Sequence, residues 1–149
     1  MGLARTIAAL FSRSSRPDPG SDPRHTLGRK GERLAEKFLR RAGYKILYRN
    51  FRARHGGEVD LVCRDTDGGI LAFVEVKTRR SDEHGRPADA VTREKEELIC
   101  RGARAWLRML DRPDVAFRFD IVEIVIEPGC EPRFNVIKSA FQLPEERRR

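Results

Sequence analysis

Residues Ile70 to Thr78, with the sequence ILAFVEVKT, form an apolar and largely β-branched run that predicts a buried strand. Strand side chains alternate between two faces, so four of them share one face: Leu71, Phe73, Glu75 and Lys77. Two charges at the end of an apolar strand allow two interpretations. Either the strand leaves the core there and Glu75 and Lys77 are solvated or paired with each other, or the two belong to a functional site.

The turn Thr66 to Gly69 joins this strand to the preceding one, EVDLVCR, and its Asp-Gly and Gly-Gly steps predict a hairpin. A four-residue loop sets a register in which Asp60 faces Glu75. Two carboxylates directly opposite each other repel, unless a positive group lies between them. A divalent cation or the neighbouring Lys77 would serve. A slip of one residue would place the two acids on opposite faces of the sheet.

Two helices are predicted, and each carries one charged residue at an informative position. In the helix Gly28–Gly43, Glu32 lies at the edge of the apolar stripe, where it either faces a site or interacts with the helix dipole. In the helix Asp89–Leu110, with Asp89 as the N-cap, Lys95 lies within the stripe and must extend to solvent or meet an acid. The predicted stripe of this second helix is Val91, Leu98, Gly102, Ala105, Trp106 and Met109.

The remaining strands are predicted at Tyr44–Phe51, Phe117–Glu127 and Arg133–Lys138. The resulting order is α-β-β-β-α-β with one more strand at the end. This order predicts an α/β fold in which both helices pack on faces of a central sheet. Asp120 shares a face with apolar residues of its strand, so it is expected to be partly buried, where it would position another polar group or mark the strand's end.

Composition bounds the domain organisation. Ser12 to Thr26 is rich in Pro, Gly, Ser and charge, which predicts a flexible extension over residues 1–26, a folded domain over 27–143 and a disordered basic tail over 144–149. The net charge of +8 favours an anionic partner, although arginine-rich composition alone can produce it. The three scattered cysteines predict a cytoplasmic protein, and no segment is long enough to span a membrane.

Asp60 followed by Glu75-Val76-Lys77 resembles the D…(D/E)-x-K pattern of the PD-(D/E)xK nuclease superfamily. Longer stretches resemble one branch of it, the YraN-like family of bacterial proteins, which is similar to archaeal Holliday-junction resolvases. These stretches are GERLAEKFLRRAGYKIL, NFRARHGGEVDLVCRD, FVEVKTRRS, GRPADAV, RFDIVEI and IKSAF. Two positions depart from the expected pattern: Val59 replaces the superfamily's proline, and His84 stands where an aromatic residue is expected.

The resemblance implies a restriction-endonuclease-like αβββαβ core with a mixed central sheet, and a metal-dependent, structure-selective endonuclease that acts on DNA. It implies that Asp60 and Glu75 hold one or two Mg²⁺ or Mn²⁺ ions, with Glu32 closing the site from the first helix directly or through water. Lys77 would orient the attacking water or neutralise the non-bridging phosphate oxygen, and Lys95 would point to Glu75 or to the phosphate. Glu58 is expected as a partner of Lys77 or as a surface acid. The residues expected to bind the nucleic-acid backbone are Arg52, Arg54, Arg79 and Arg80.

Two other classes of function are open at this point. The chain could be a catalytically silent nucleic-acid-binding module that keeps the nuclease fold, or a structural protein whose charges form an internal ion-pair network. Metal-dependent cleavage of DNA would distinguish the endonuclease from both of these alternatives. A resolvase that cuts two strands symmetrically would also need two active sites, which a homodimer would supply.

Overall fold

The computed structural model describes residues 23–81, 91–110 and 114–145. Predictions for the first 22 residues, for His84 and for the last four residues lie outside these ranges, so the division at 1–26, 27–143 and 144–149 stays a prediction. Helices and strands follow one another in this order: α1 (Pro23–Arg41), β1 (Tyr44–Arg52), β2 (Glu58–Asp65), β3 (Leu71–Arg80), α2 (Arg93–Arg108), β4 (Phe117–Ile126) and β5 (Arg133–Phe141).

The five strands form one mixed sheet in the order β1-β2-β3-β4-β5. Three neighbouring pairs are antiparallel, and the central pair β3–β4 is parallel. Parallel strands need a crossover connection, which here contains α2. The predicted α/β class, with an αβββαβ core and a mixed sheet, is confirmed.

The hairpin between β2 and β3 has the register that the turn sequence predicts. The Asp65 amide donates to the Ile70 carbonyl at 2.9 Å, closing the loop over residues 66–69. The ladder then runs through Arg64–Leu71 to Leu61–Val74, all in one register. The next pair in this register is Asp60 and Glu75, so the two acids come from adjacent strands at the same level.

The helices pack on opposite faces of the sheet, and each face has its own core cluster. Ala35 and Leu39 of α1 lie in the cluster that contains Val74 and Val122. Residues Ile99, Ala103 and Trp106 of α2 lie in the cluster that contains Phe73 and Phe119. Since Phe73, Glu75 and Lys77 share a face, the charged end of β3 lies on the side covered by α2.

Glycines allow both helices to approach the sheet closely. A Cβ on Gly31 of α1 would collide with the hydroxyl of Thr78 and lie 3.0 Å from the Thr78 Cβ. On the other face, a Cβ on Gly102 of α2 would lie 3.0 Å from the backbone of Glu58. Gly57 also needs a positive φ of 111°. Both helices are therefore held against the sheet next to the residues that carry charge.

Helix boundaries differ from the sequence-based prediction in three respects. Helix α1 begins at Pro23 rather than Gly28, because proline is well tolerated in the first turn. The N-cap of α2 is Thr92, whose side chain accepts from the Lys95 amide, whereas Asp89 lies outside the described residues. Met109, predicted in the buried stripe, is 43% exposed, whereas the predicted Trp106 is buried, and Ile99 and Ala103, which the prediction left out, are buried as well.

Asp120 belongs to a buried polar network on the face of the sheet covered by α1; in the strand register it pairs with Val74, one residue before Glu75. Arg118 donates to both carboxylate oxygens of Asp120 and to Asp65, and its remaining contact is the Tyr44 hydroxyl. The Ser139 amide also donates to Asp120 at 3.0 Å. Asp120 thus positions another polar group, Arg118, which is one of the two roles predicted for it. The network links β4 to β5 and, through Arg118, to β2 and β1.

The predicted cytoplasmic location rested on the cysteines and on the lack of a membrane-spanning segment. All three cysteines are free; Cys63 and Cys100 are buried and Cys130 is exposed. Burial raises the pKa of the Cys63 thiol to about 12, so it behaves as a core group and not as a nucleophile. Within the described ranges, no helix is long and apolar enough to cross a membrane. The cytoplasmic location stays a prediction.

The close approach at Gly31 makes a testable prediction. Gly31→Ala should lower the free energy of unfolding by about 1 to 3 kcal/mol, because the added methyl group overpacks the contact with Thr78. Gly28→Ala is the matched control on the same helix, since its Cβ meets nothing within 4 Å, and it should be neutral or stabilise by up to about 1 kcal/mol. Urea denaturation measures both; equal effects of the two substitutions would contradict the prediction.

Candidate active site

Strands β2 and β3 stop pairing through their backbones at the level of the two acids. The last paired residues are Leu61 and Val74, while β3 continues along β4 as far as Arg80. Beyond that point Asp60 Oδ2 accepts a hydrogen bond from the Val76 amide at 2.8 Å. A carboxylate thus replaces a backbone carbonyl in the ladder, which fixes the position of Asp60 beside Glu75.

Glu75 is a carboxyl group in an unfavourable environment. Its residue is only 3% exposed, and its Oε2 has no hydrogen-bond partner among the described residues. Lys77 Nζ lies 3.3 Å from Oε1 and Lys95 Nζ lies 3.6 Å from the same atom. Burial and the neighbouring Asp60 raise the pKa of Glu75 to about 8, and the two lysines only partly offset them.

Lys95 meets acids and does not simply extend to solvent. Its ammonium is hydrogen-bonded to Glu58 Oε1, and Arg52 Nη1 binds the other oxygen of Glu58 at 2.9 Å. Burial alone would lower the pKa of Lys95, but the Glu58 hydrogen bond and the nearby Glu75 raise it overall. Glu58, expected as a partner of Lys77 or as a surface acid, instead pairs with Lys95 of α2 and with Arg52.

Glu32 approaches the same end of the sheet from α1. Burial raises the pKa of Glu32, and repulsion from Asp60 raises it further, while a hydrogen bond with the Asn50 side chain opposes this shift. Asn50 has a positive φ of 50° and lies between the pairs Arg49–Leu61 and Phe51–Val59, which places it across from Asp60. Of the two roles predicted for Glu32, facing a site or interacting with the helix dipole, the structure therefore agrees with the first.

The four arginines predicted to bind a nucleic-acid backbone have different surroundings. Arg54 and Arg80 are exposed, and Arg52 is exposed while bound to Glu58. Arg79 is instead hydrogen-bonded to Glu123, a buried acid of β4. Three of the four are open to a ligand, whereas Arg79 would have to leave a buried partner to bind one.

The structure brings together Asp60, Glu75, Lys77 and Lys95, with Glu32 close to Asp60. The described residues contain no group of three or more His, Cys, Asp or Glu side chains that could hold a metal ion. The close unit is thus the pair Asp60–Glu75. Sequence reasoning missed Asn50 and Glu123: the tolerance of asparagine for positive φ was a weak sign for the first, and nothing local marked the second.

Comparisons with known proteins agree with the family resemblance. Residues 31–124 match the model of the "Uncharacterised protein family UPF0102". A UPF0102 protein of Trichlorobacter lovleyi is 46% identical over 78% of this chain and 91% of its own length. One from Geobacter sulfurreducens is 48% identical over 83% and 94%, and one from Nocardia farcinica is 46% identical over 79% and 91%. The predicted YraN-like resemblance is confirmed.

The raised pKa of Glu75 predicts a specific dependence of stability on pH. The folded protein holds a proton that the unfolded chain loses near pH 4.5, so stability should fall as pH rises from about 5 to about 8, by roughly 3 to 5 kcal/mol. Glu75→Gln should remove this loss, since a neutral amide replaces the group that titrates.

The measurement is urea denaturation in chelator-containing buffer at several pH values in this window. Glu97→Gln is the control, because Glu97 is an exposed acid on α2 that pairs with Arg93. Glu75→Gln should be more stable than wild type at pH 8, while Glu97→Gln should keep the wild-type slope. A Glu75→Gln variant with the wild-type slope would show that Glu75 titrates normally.

Proposed function

The chain belongs to the UPF0102 family, which is placed in the restriction-endonuclease-like superfamily, and on that premise we propose that it is a metal-dependent, structure-selective endonuclease that hydrolyses phosphodiester bonds in DNA. Branched DNA is the proposed preferred substrate. The observation that carries this proposal is the buried Glu75 carboxyl beside Asp60, with one oxygen that no described residue satisfies.

The donor set suits a small divalent cation. Magnesium is usually bound through one or two carboxylates, and waters and substrate phosphates complete its coordination. Asp60 and Glu75 supply two carboxylates, and the unsatisfied Oε2 of Glu75 is an oxygen available for ligation. Glu32, near Asp60, would act through water rather than as a third direct ligand. Mg²⁺ or Mn²⁺ fits this set.

A bound cation would supply Lewis acidity and a water of lowered pKa. The protein's own residues have separable tasks. Asp60 is held by the Val76 amide, so its free oxygen is pre-oriented. Lys77, whose side chain is 31% exposed, is open to solvent and is suited to neutralise a phosphate oxygen or to orient the water. Lys95, engaged with Glu58 and Glu75, positions the Glu75 carboxylate.

Hydrolysis accounts for the acids better than binding alone does. A module that only binds nucleic acid gains affinity from cations at its surface, and two facing carboxylates would repel the phosphates. The two acids become compatible with a phosphate when a divalent cation lies between them and the substrate. Burial, together with repulsion from Asp60, raises the pKa values of Glu32 and Glu75, and this crowding of acids supports a catalytic site over a silent one.

Cleavage assays test the proposal. Wild type should cleave four-way junctions or flaps in Mn²⁺ or Mg²⁺ faster than it cleaves linear duplex, and not at all with a chelator. Asp60→Asn, Glu75→Gln and Lys77→Met should each lower the rate by about 10²-fold or more. Glu97→Gln is the control and should cleave like wild type. Wild type that binds DNA but cleaves none of the substrates would support a silent binding module instead.

Metal binding can be measured without cleavage. Saturating Mn²⁺ at 100 times its dissociation constant should stabilise wild type by about 2.7 kcal/mol. Asp60→Asn should lose most of this gain, because half of the carboxylate pair is neutralised, while Asp114→Asn, an exposed acid elsewhere, should retain it. Equal stabilisation of all three proteins would place the cation elsewhere.

A further inference from the structure

The exposed face of helix α1 carries charge of one sign. At 3.6 residues per turn, six basic residues fall within an arc of about 120°. We call this surface the basic strip; it consists of Arg29, Lys30, Arg33, Lys37, Arg40 and Arg41, all of which are exposed. The buried residues Ala35 and Leu39 lie on the opposite side of the helix. The strip extends for about 18 Å along the helix axis.

The acids of α1 do not neutralise the strip. Glu36 lies at the edge of the strip, where it binds Arg40 and also Arg49 of β1. The hydrogen bond from Arg49 is the main reason that the pKa of Glu36 falls to about 2, and the one from Arg40 adds to it. Glu32 faces the candidate active site. Within the described ranges, Lys30, Arg33, Lys37 and Arg41 form no ion pair. The first turns of helix α2 differ, because acidic and basic residues are mixed there and Arg93 pairs with Glu97 one turn later.

A single-sign face is costly unless an anionic partner covers it, since like charges at helical spacing repel. The strip also has a fixed relation to the candidate active site. Arg29, at its N-terminal end, lies one helical turn from Glu32, and the strip then runs away from the site toward Arg41. A polyanion lying on the strip would therefore continue into the site at one end.

We propose that the basic strip binds the phosphate backbone of a double-stranded nucleic-acid arm that extends from the cleavage site over about five base pairs. That the arm extends from a cleavage site rests on the proposed function, whereas the binding of the arm to the strip does not. The chemistry favours nucleic acid over an anionic membrane surface. A membrane-bound helix inserts an apolar face into the lipid, but the apolar face of α1 is buried in the core of this protein.

Two matched triple variants test the proposal. Arg33→Gln/Lys37→Gln/Arg41→Gln removes three charges from the strip. Arg64→Gln/Arg108→Gln/Arg133→Gln removes three exposed arginines from β2, α2 and β5 and is the control. Binding is measured by fluorescence anisotropy in Ca²⁺ across a series of salt concentrations. The probes are junctions or flaps whose duplex arms grow from two to twelve base pairs.

Wild type and the control should gain affinity as the arm grows to about five base pairs. The strip variant should gain much less, should bind the longer arms about two orders of magnitude more weakly, and should show a salt slope smaller by roughly 2 to 3 units. Identical binding by the strip variant and the control would overturn the inference. So would a strip variant that loses binding to vesicles of anionic phospholipid while binding DNA normally.

These outcomes are independent of the outcome for catalysis. If wild type binds with the expected arm-length dependence but never cleaves, the strip stands and the proposed hydrolysis fails. If wild type cleaves and the strip variant binds and cleaves equally well, the hydrolysis stands and the strip fails. Circular dichroism and urea denaturation should show that both triple variants fold like wild type, since all six positions are exposed.

Discussion

Two carboxyl groups that repel each other at the end of a paired strand determine how this molecule is built. Glu75 is almost fully buried beside Asp60, and its pKa is raised because burial and the neighbouring acid both disfavour its charge. Such an arrangement costs stability in the protein alone. Lys77 and Lys95 reduce that cost without removing it, and this remaining cost is the reason for proposing a cation there.

The rest of the fold holds this pair in place. Strands β2 and β3 separate where the acids begin, and the Asp60 side chain takes over the hydrogen bond that a backbone group would otherwise make. Glycines let α1 and α2 approach the sheet on its two faces, so that Glu32 and Lys95 reach the same end of the sheet. The buried network around Arg118 links Asp120 of β4 to Asp65 of β2.

Much of this arrangement was predictable because it depends on local rules. The turn at residues 66–69 fixed the register of Asp60 and Glu75, and alternation placed Lys77 on the same face as Glu75. The partner of Lys95 was not predictable to the same degree, since it depends on how far α2 slides along the sheet. Burial of Glu123 with Arg79 and the unusual backbone of Asn50 arise from tertiary packing, which no short pattern encodes.

A ¹³C NMR titration of the Glu75 carboxyl, with and without Mg²⁺, tests the central claim most directly. Without metal, the resonance should titrate well above the usual range for glutamate. With saturating Mg²⁺ the midpoint should move to lower pH, because the cation stabilises the charged carboxylate. A resonance that titrates like an exposed glutamate, or one that ignores Mg²⁺, would contradict the account of a cation held between Asp60 and Glu75.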